Sequence, residues 1–436
     1  MIRTIQNIWK VEDLRNRILF TLFILLIFRI GSFIPVPNIN REALKAADMQ
    51  GSDLFGLLNT FTGGALYQFS IFALGIMPYI TASIIVQLLS MDVIPKFAEW
   101  AKEGEMGRRK LSQFTRYGTV VLGFIQAYAT SIGFNRLYGI QMVVNPSFAT
   151  YTLIAIILTA GTAFLMWLGE QINDKGIGNG ISILIFAGIV AGIPQGIRDI
   201  YASQFFGIAE SELFLNIVKL VIIGVFAVLV IAGCIFVQQG TRKLPVQYAK
   251  RIVGQRMYGG QMTHIPLRVN GAGVIPVIFA VSLLTFPITI AGFWSQYAWA
   301  QWIMDHLYYD RPLGMVLYVL LIIGFTFFYT FVQYNPQQMA ENMKKNGGYI
   351  PGIRPGKPTA TYLTRVITRL TLAGSIFLAV VSVMPVFFSA VAGLPRTVAL
   401  GGTSLLIVVG VALETMKQIE SQLIKRHYRG FIGGTK

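Results

Sequence analysis

Charge is scarce in this chain. Of its 436 residues, 13% are Asp, Glu, Lys or Arg, about half the share usual in a soluble domain. A water-soluble chain of this length needs more polar surface than that. Cysteine is nearly missing as well. Cys234 stands alone inside an apolar run, which excludes an intramolecular disulfide and a cysteine-built metal site. The three histidines, His264, His306 and His427, have no partner at metal or triad spacing. The helical zinc motif HExxH does not occur. Inside the apolar runs Arg29, Lys219, Arg369 and Glu414 are nearly the only charges. Lys219 and Arg369 lie near run ends, where long side chains reach the interface. Ion-coupled transporters usually place acids near the bilayer midplane, so a proton- or sodium-driven pump is disfavoured. Nucleotide loops are missing too. Residues 352–358 (GIRPGKP) space their glycines too closely for a phosphate loop, and Pro358 stands where Ser or Thr is required. Residues 176–180 (GIGNG) fall between two apolar runs rather than after a strand, so they are expected to form a tight turn. No catalytic residues, metal or cofactor are expected, and the chain is not expected to be an enzyme.

What the sequence has is apolar length. Hydrophobic residues make up 54% of it. Runs of about 20 residues, the length that crosses a bilayer, fall near 18–36, 69–90, 114–134, 150–169, 181–200, 214–237, 272–292, 313–334, 367–388 and 400–416. The first run contains Arg29 and ends at Pro35-Val36-Pro37 without a small-residue cleavage site, so it is expected to be a retained helix and not a leader. In the fifth run Gly188, Gly192 and Gly196 form overlapping GxxxG spacings, which permit close helix contact.

Loop charge sets the orientation. Six alternate segments, counting both ends, hold 26 of the 36 Lys and Arg, and the five intervening connections hold 6 when Arg198, at the edge of the fifth run, is counted with them. This bias places both termini and the basic loops in the cytoplasm. Ten crossings divide into two fives. Because five is odd, the second half enters the membrane inverted, a layout that often places a pathway between halves. The division is expected at 1–200 and 201–436.

Three further segments stand out. Ile2, Ile5, Ile8 and Trp9 share a helical face and are expected to lie along the cytoplasmic interface. Residues 52–64 (SDLFGLLNTFTGG) are apolar but too short to span, so a re-entrant half-helix is expected on the outer side. The 238–270 loop carries six basic residues and no acid, with Leu244, Val246 and Tyr248 alternating. Alternation predicts a β-hairpin arm over about 241–269. The 335–366 loop sets Lys344, Lys345, Arg354 and Lys357 around a Pro/Gly-rich tip. Topology alone needs only a few basic residues, so these two loops are expected to dock a large cytosolic partner. Ribosomal RNA or an acidic surface on a motor protein would fit.

Several motifs carry a resemblance: 69–85 (FSIFALGIMPYITASII), 103–110 (EGEMGRRK), 167–172 (WLGEQI), 176–182 (GIGNGIS), 248–251 (YAKR), 272–276 (AGVIP), 351–356 (PGIRPG) and 401–409 (GGTSLLIVV). Spread along the whole chain, they make it similar to the SecY family, the bacterial protein-conducting channels. The resemblance implies an all-α integral membrane fold: ten transmembrane helices in two inverted five-helix halves, with an hourglass pore, a plug and a lateral gate.

By motif position the pore ring would be Ile76, Ile80, Ile185, Ile278 and Ile407. An apolar waist dewets and so blocks ions. The plug would be the 52–66 segment, including Asp53, Leu54, Phe55, Gly56, Leu57, Leu58, Asn59, Thr60, Phe61, Gly63 and Gly64, with Gly56, Gly63 and Gly64 as hinges. The lateral gate would run between the second and third crossings on one side and the seventh and eighth on the other. Gln87 and Ser282 are polar candidates along it; each also suits a local hydrogen bond. Arg242, Lys243, Lys250, Arg251, Arg256, Arg354 and Lys357 would dock a SecA ATPase or a ribosome. Small SecE- and SecG-type membrane subunits, signal-sequence-bearing nascent polypeptides and membrane lipid complete the implied partners. A small-solute transporter would instead need a polar midplane pocket, and an intramembrane enzyme a nucleophile–base or metal set; neither is evident.

Overall fold

The structure is a computed structural model. It describes residues 11–40, 59, 62–66, 68–91, 93–137, 143–205, 210–248, 251–253, 256–258, 262–291, 294, 296–308, 311–392 and 402–432. The 1–10 segment with its expected interfacial helix lies outside the described residues.

Thirteen helices and five short strands are described. Ten helices coincide with the ten apolar runs: α1 (Glu12–Gly31), α2 (Met77–Leu89), α4 (Glu105–Leu137), α5 (Phe148–Lys175), α6 (Gly180–Phe205), α7 (Glu210–Gln239), α8 (Ile275–Ala291), α10 (Pro312–Gln333), α12 (Lys357–Ala392) and α13 (Gly402–Ile432). Three shorter helices lie between them: α3 (Pro95–Lys102), α9 (Ala298–His306) and α11 (Pro336–Lys345). Among the described residues, five helices are long and apolar enough to cross a bilayer on length and composition alone, and two more, α2 and α8, are shorter apolar helices.

The second run departs from expectation. It reads as apolar from residue 69, but α2 begins only at Met77. Residues 71–76 form turns instead. Pro78 sits in the first helical turn, where its missing N–H costs nothing and its ring disfavours helix upstream. At 13 residues, α2 is about 20 Å long, short of a hydrocarbon core of about 30 Å. The turn segment lies against α5. A Cβ on Gly161 would collide with the carbonyl oxygen of Ile71, so only glycine lets the two backbones approach. Thr162 Oγ1 donates to the Gly75 carbonyl at 3.2 Å.

The fifth run's glycines also behave differently from the expected helix–helix seam. Gly192 and Gly196 have open space where a Cβ would stand. Gly188 alone makes a close approach, and its partner is the non-helical Gly63.

Lipid gives apolar helices no hydrophobic reason to associate, so close packing and hydrogen bonds carry the assembly. The 176–180 segment is the expected tight turn and works as such a junction. The Ile177 amide donates to Thr21 Oγ1 of α1 at 3.1 Å, and the Gly178 amide donates to Gln418 Oε1 of α13 at 2.9 Å. Arg116 on α4 pairs with Glu170 on α5 at 2.8 Å.

The expected arm is present. β1 (Thr241–Tyr248) pairs antiparallel with β4 (Met262–Arg268), from Thr241 opposite Arg268 to Gln247 opposite Met262. Between them β2 (Arg251–Val253) and β3 (Arg256–Tyr258) form a second hairpin. A further strand, β5 (Gly348–Tyr349), adds to the free edge of β1. The two basic loops, read separately in the sequence, are thus one three-stranded sheet in the order β4-β1-β5. Leu244 and Val246 point from β1 into a small core with Ala340 and Met343 of α11, Ile350, and Leu363, Val366 and Ile367 of α12.

Candidate functional site: an apolar waist, a closing segment and a polar seam

The five isoleucines come from four helices and one turn. Ile76 is the residue before α2, Ile80 lies on α2, Ile185 on α6, Ile278 on α8 and Ile407 on α13. All are buried, none exposing more than 7% of its surface, and all belong to one continuous apolar cluster. Ile76 and Ile80 are four apart, so both face the same side. The cluster gathers elements from both ends of the chain around a centre of branched aliphatic side chains.

The segment read as a plug reaches this bundle at its C-terminal end. Asn59, Gly63 and Gly64 are described; Asp53, Leu54, Phe55, Gly56, Leu57, Leu58, Thr60 and Phe61 lie outside the described residues. Thr62, Ala65 and Leu66 are buried. Gly63 takes a left-handed φ of 68° and faces Gly188 of α6; a Cβ on it would stand 2.9 Å from the Gly188 Cα. Arg29 of α1 turns towards this segment. Its Nη1 donates to the Gly63 carbonyl at 2.8 Å.

On the seam, α8 packs against both α2 and α4. Ser282 of α8 is buried, and its Oγ lies 2.6 Å from Thr81 Oγ1 of α2. Thr81 was not singled out in the sequence. It shares a mostly apolar helix with the polar Ser83 and Gln87, so no local sign sets it apart. Gln87 bonds within its own helix, donating from Nε2 to Ser83 Oγ at 3.3 Å. Its buried Oε1 has no partner among the described residues.

The basic residues divide by exposure. Arg242 and Lys243 on β1, and Arg354 and Lys357 beyond β5, are exposed on one assembly. The tip is held by Thr359, whose Oγ1 donates to the Arg354 carbonyl at 2.8 Å. Arg251 and Arg256 sit in β2 and β3, with their side chains outside the described residues; so does Lys250 entirely. At the base of the hairpin a cavity of about 120 Å³ is lined by Arg268, Asn270, Glu414 and Lys417 among others. Burial and the neighbouring Arg268 hold the Lys417 ammonium below the usual lysine range, while Glu420 opposes them.

An apolar cluster, a backbone segment packed at its edge and a buried hydroxyl contact between α2 and α8 thus lie in one bundle. Comparison with known proteins identifies the family. The family model described as SecY matches residues 70–416. The protein translocase subunit SecY of Halalkalibacterium halodurans is 63% identical over 433 residues, covering 99% of this chain and 100% of that one. Among solved structures, a protein-conducting channel superposes with a TM-score of 0.60 at 20% identity, over 93% of this chain and 92% of that one. A SecY structure whose plug domain stabilises the closed channel and maintains a membrane seal superposes with a TM-score of 0.58, also at 20% identity and over the same shares. The chain therefore belongs to the SecY family: it is a multi-pass channel subunit of a protein translocase, and not an enzyme.

Proposed function

We propose that unfolded secretory polypeptides cross the bacterial plasma membrane through the centre of this bundle, past Ile76, Ile80, Ile185, Ile278 and Ile407. The observation that carries this is the burial of all five in one apolar cluster. Aliphatic contacts are non-directional, so they suit a substrate of no fixed sequence. At rest the same groups exclude water and ions. The 52–66 segment closes the outer side. Two halves, 1–200 and 201–436, part along the seam of α2 and α4 with α8 and α10. A sufficiently hydrophobic signal segment leaves through that opening into lipid.

Both termini and the β4-β1-β5 sheet face the cytoplasm in this reading. Arg242, Lys243, Lys250, Arg251, Arg256, Arg354 and Lys357 give that face its positive charge. It receives an external energy source, a SecA-type ATPase or a translating ribosome, since the passage itself does no chemistry. Small SecE- and SecG-type subunits accompany the bundle in the membrane.

The test is cross-linking. Cys234 is replaced by Ser, and a cysteine is placed at position 80 or 278. A secretory polypeptide stalled in transit then forms adducts at both positions when the motor is present. Adducts at neither position would overturn the central path.

A further inference from the structure

Three of the six tryptophans, Trp294, Trp299 and Trp302, fall within residues 294–302, in the connection between α8 and α10. Residues 292–304 carry no Asp, Glu, Lys or Arg. Both neighbouring helices have their other ends at the sheet: α8 follows β4, and α10 leads through α11 to β5. The connection therefore lies at the end of the bundle opposite the sheet. Its helix α9 divides three ways at the helical period. Ala300, Met304 and Leu307 turn inward, and Ala300 is wholly buried. Gln301 and Asp305 are exposed on a second side. Trp299 and Trp302 make up the third and leave 50% and 51% of their surface uncovered.

This face is held in place. α9 packs against both α8 and α10. A Cβ on Gly314, near the start of α10, would collide with the Tyr308 carbonyl oxygen, so only glycine lets the turn after α9 lie so close to α10. Trp302 stacks on His306 with ring centroids 4.9 Å apart, and Trp299 lies 5.9 Å from Trp294. On α10, Leu313, Val316, Leu317 and Leu320 form one exposed apolar stripe that starts where α9 packs. In a multi-pass chain such a stripe meets hydrocarbon. The aromatic face of α9 continues it to the level where the chain leaves the hydrocarbon. Trp and Tyr concentrate at that level, because a ring with one apolar and one polar side suits both neighbours. We propose that the aromatic face of α9 is a lipid-binding surface, seated in the headgroup boundary on the side of the membrane opposite the sheet, with Gln301 and Asp305 toward water. It ties the far end of α8 to the lipid. Being uncharged, it accepts neutral headgroups as well as anionic ones. It stands apart from the proposed passage and requires only that α8 and α10 cross the membrane.

The experiment places the full chain in vesicles, once with its associated membrane subunits and once without them. A variant with Trp299→Phe and Trp302→Phe keeps apolar rings at both positions, so the tryptophan emission it lacks reports those two residues. With lipid brominated near the headgroup, that emission is expected to fall by about half or more, and by clearly less with bromine near the chain ends, since an interfacial apolar face lies about 5–10 Å into the boundary. Iodide on both sides of the membrane should remove less of it than the shallow bromine does. Vesicles of neutral phosphatidylcholine and vesicles with added phosphatidylglycerol should give the same result. Quenching by iodide and not by bromine would overturn the proposal and give the face to water. Quenching by neither, or by bromine only when the associated subunits are left out, would overturn it by showing that protein covers the rings. A requirement for phosphatidylglycerol, or strongest quenching by the deep bromine, would overturn it as well, because charge or full burial in hydrocarbon would then hold the face. Should the double variant fail to assemble, Trp302→Phe alone is read in the same way.

Discussion

The hydroxyls of Thr81 and Ser282 lie 2.6 Å apart, one on α2 and the other on α8, 201 positions apart in the chain. Both are buried, so the bond forms away from water and joins two helices that the proposed gate must separate. Thr81 Oγ1 also reaches the Met77 carbonyl at 3.1 Å. It therefore keeps a partner on its own helix whether the seam is closed or open.

Replacing Ser282 by Ala removes the cross-seam bond and leaves Thr81 its local acceptor. A buried hydrogen bond contributes about 0.5–1.5 kcal/mol net. The open state should gain roughly two- to tenfold in population by that amount. Export of a reporter carrying a weakened signal sequence should rise accordingly, while export with an intact signal changes little. The coupling between Ser282→Ala and Thr81→Val in a double-mutant cycle measures the bond itself. Equal discrimination by parent and variants would show that the pair does not hold the seam.

Gly161 and the two glycines of the fifth run should respond in opposite directions. Gly161→Ala drives a Cβ into the Ile71 carbonyl oxygen, backbone that cannot swing aside. Overpacking of this kind costs about 1–3 kcal/mol, and the thermal midpoint in detergent should fall. Gly192→Ala and Gly196→Ala meet nothing. Within a helix, alanine gains up to about 1 kcal/mol over glycine, so those variants should be neutral or slightly more stable. A shared loss in all three would contradict the packing described.

Leu244 is buried at the centre of the small core beneath the sheet. Leu244→Ala should cost that core about 2–5 kcal/mol. The apolar cluster of the bundle is separate from this core, so the chain should still insert. The expected sign is faster protease cutting in the 249–261 stretch, with the spanning fragments intact. Unchanged cutting would mean that the arm does not rest on this core.

Arg354 is exposed, so its charge can be inverted without burying it. Arg354→Glu should leave membrane insertion intact and cut ATP-driven precursor uptake into vesicles by about tenfold or more, because like charges across an interface cost several kcal/mol. Arg354→Lys should retain much of the uptake. Normal uptake by the glutamate variant would remove Arg354 from the docking face.

The crossings were legible because burial in lipid writes itself into every residue of a helix. The arm was legible because Leu244, Val246 and Tyr248 alternate and the first two point into its core. What escaped were features that depend on residues far apart in sequence. Nothing in Gly348-Tyr349 signals that two residues will pair with β1 roughly a hundred positions earlier. Thr81 gives no hint of Ser282, nor Arg29 of Gly63, because a hydrogen bond across a bundle leaves no local period. The late start of α2 was readable in principle from Pro78, but the hydropathy of residues 69–76 concealed it.

The helix α12 has a mechanical consequence. Leu363, Val366 and Ile367 belong to the core under the sheet, while Leu378, Ala379, Val381 and Val383 belong to the cluster that holds the five isoleucines. One helix is thus a member of both, across about 30 Å of unbroken backbone. Such a rod behaves as a pushrod: thrust applied to the sheet arrives at the apolar cluster of the bundle as displacement. Under the proposed function, a partner docked on the arm would therefore have its stroke delivered to the five isoleucines.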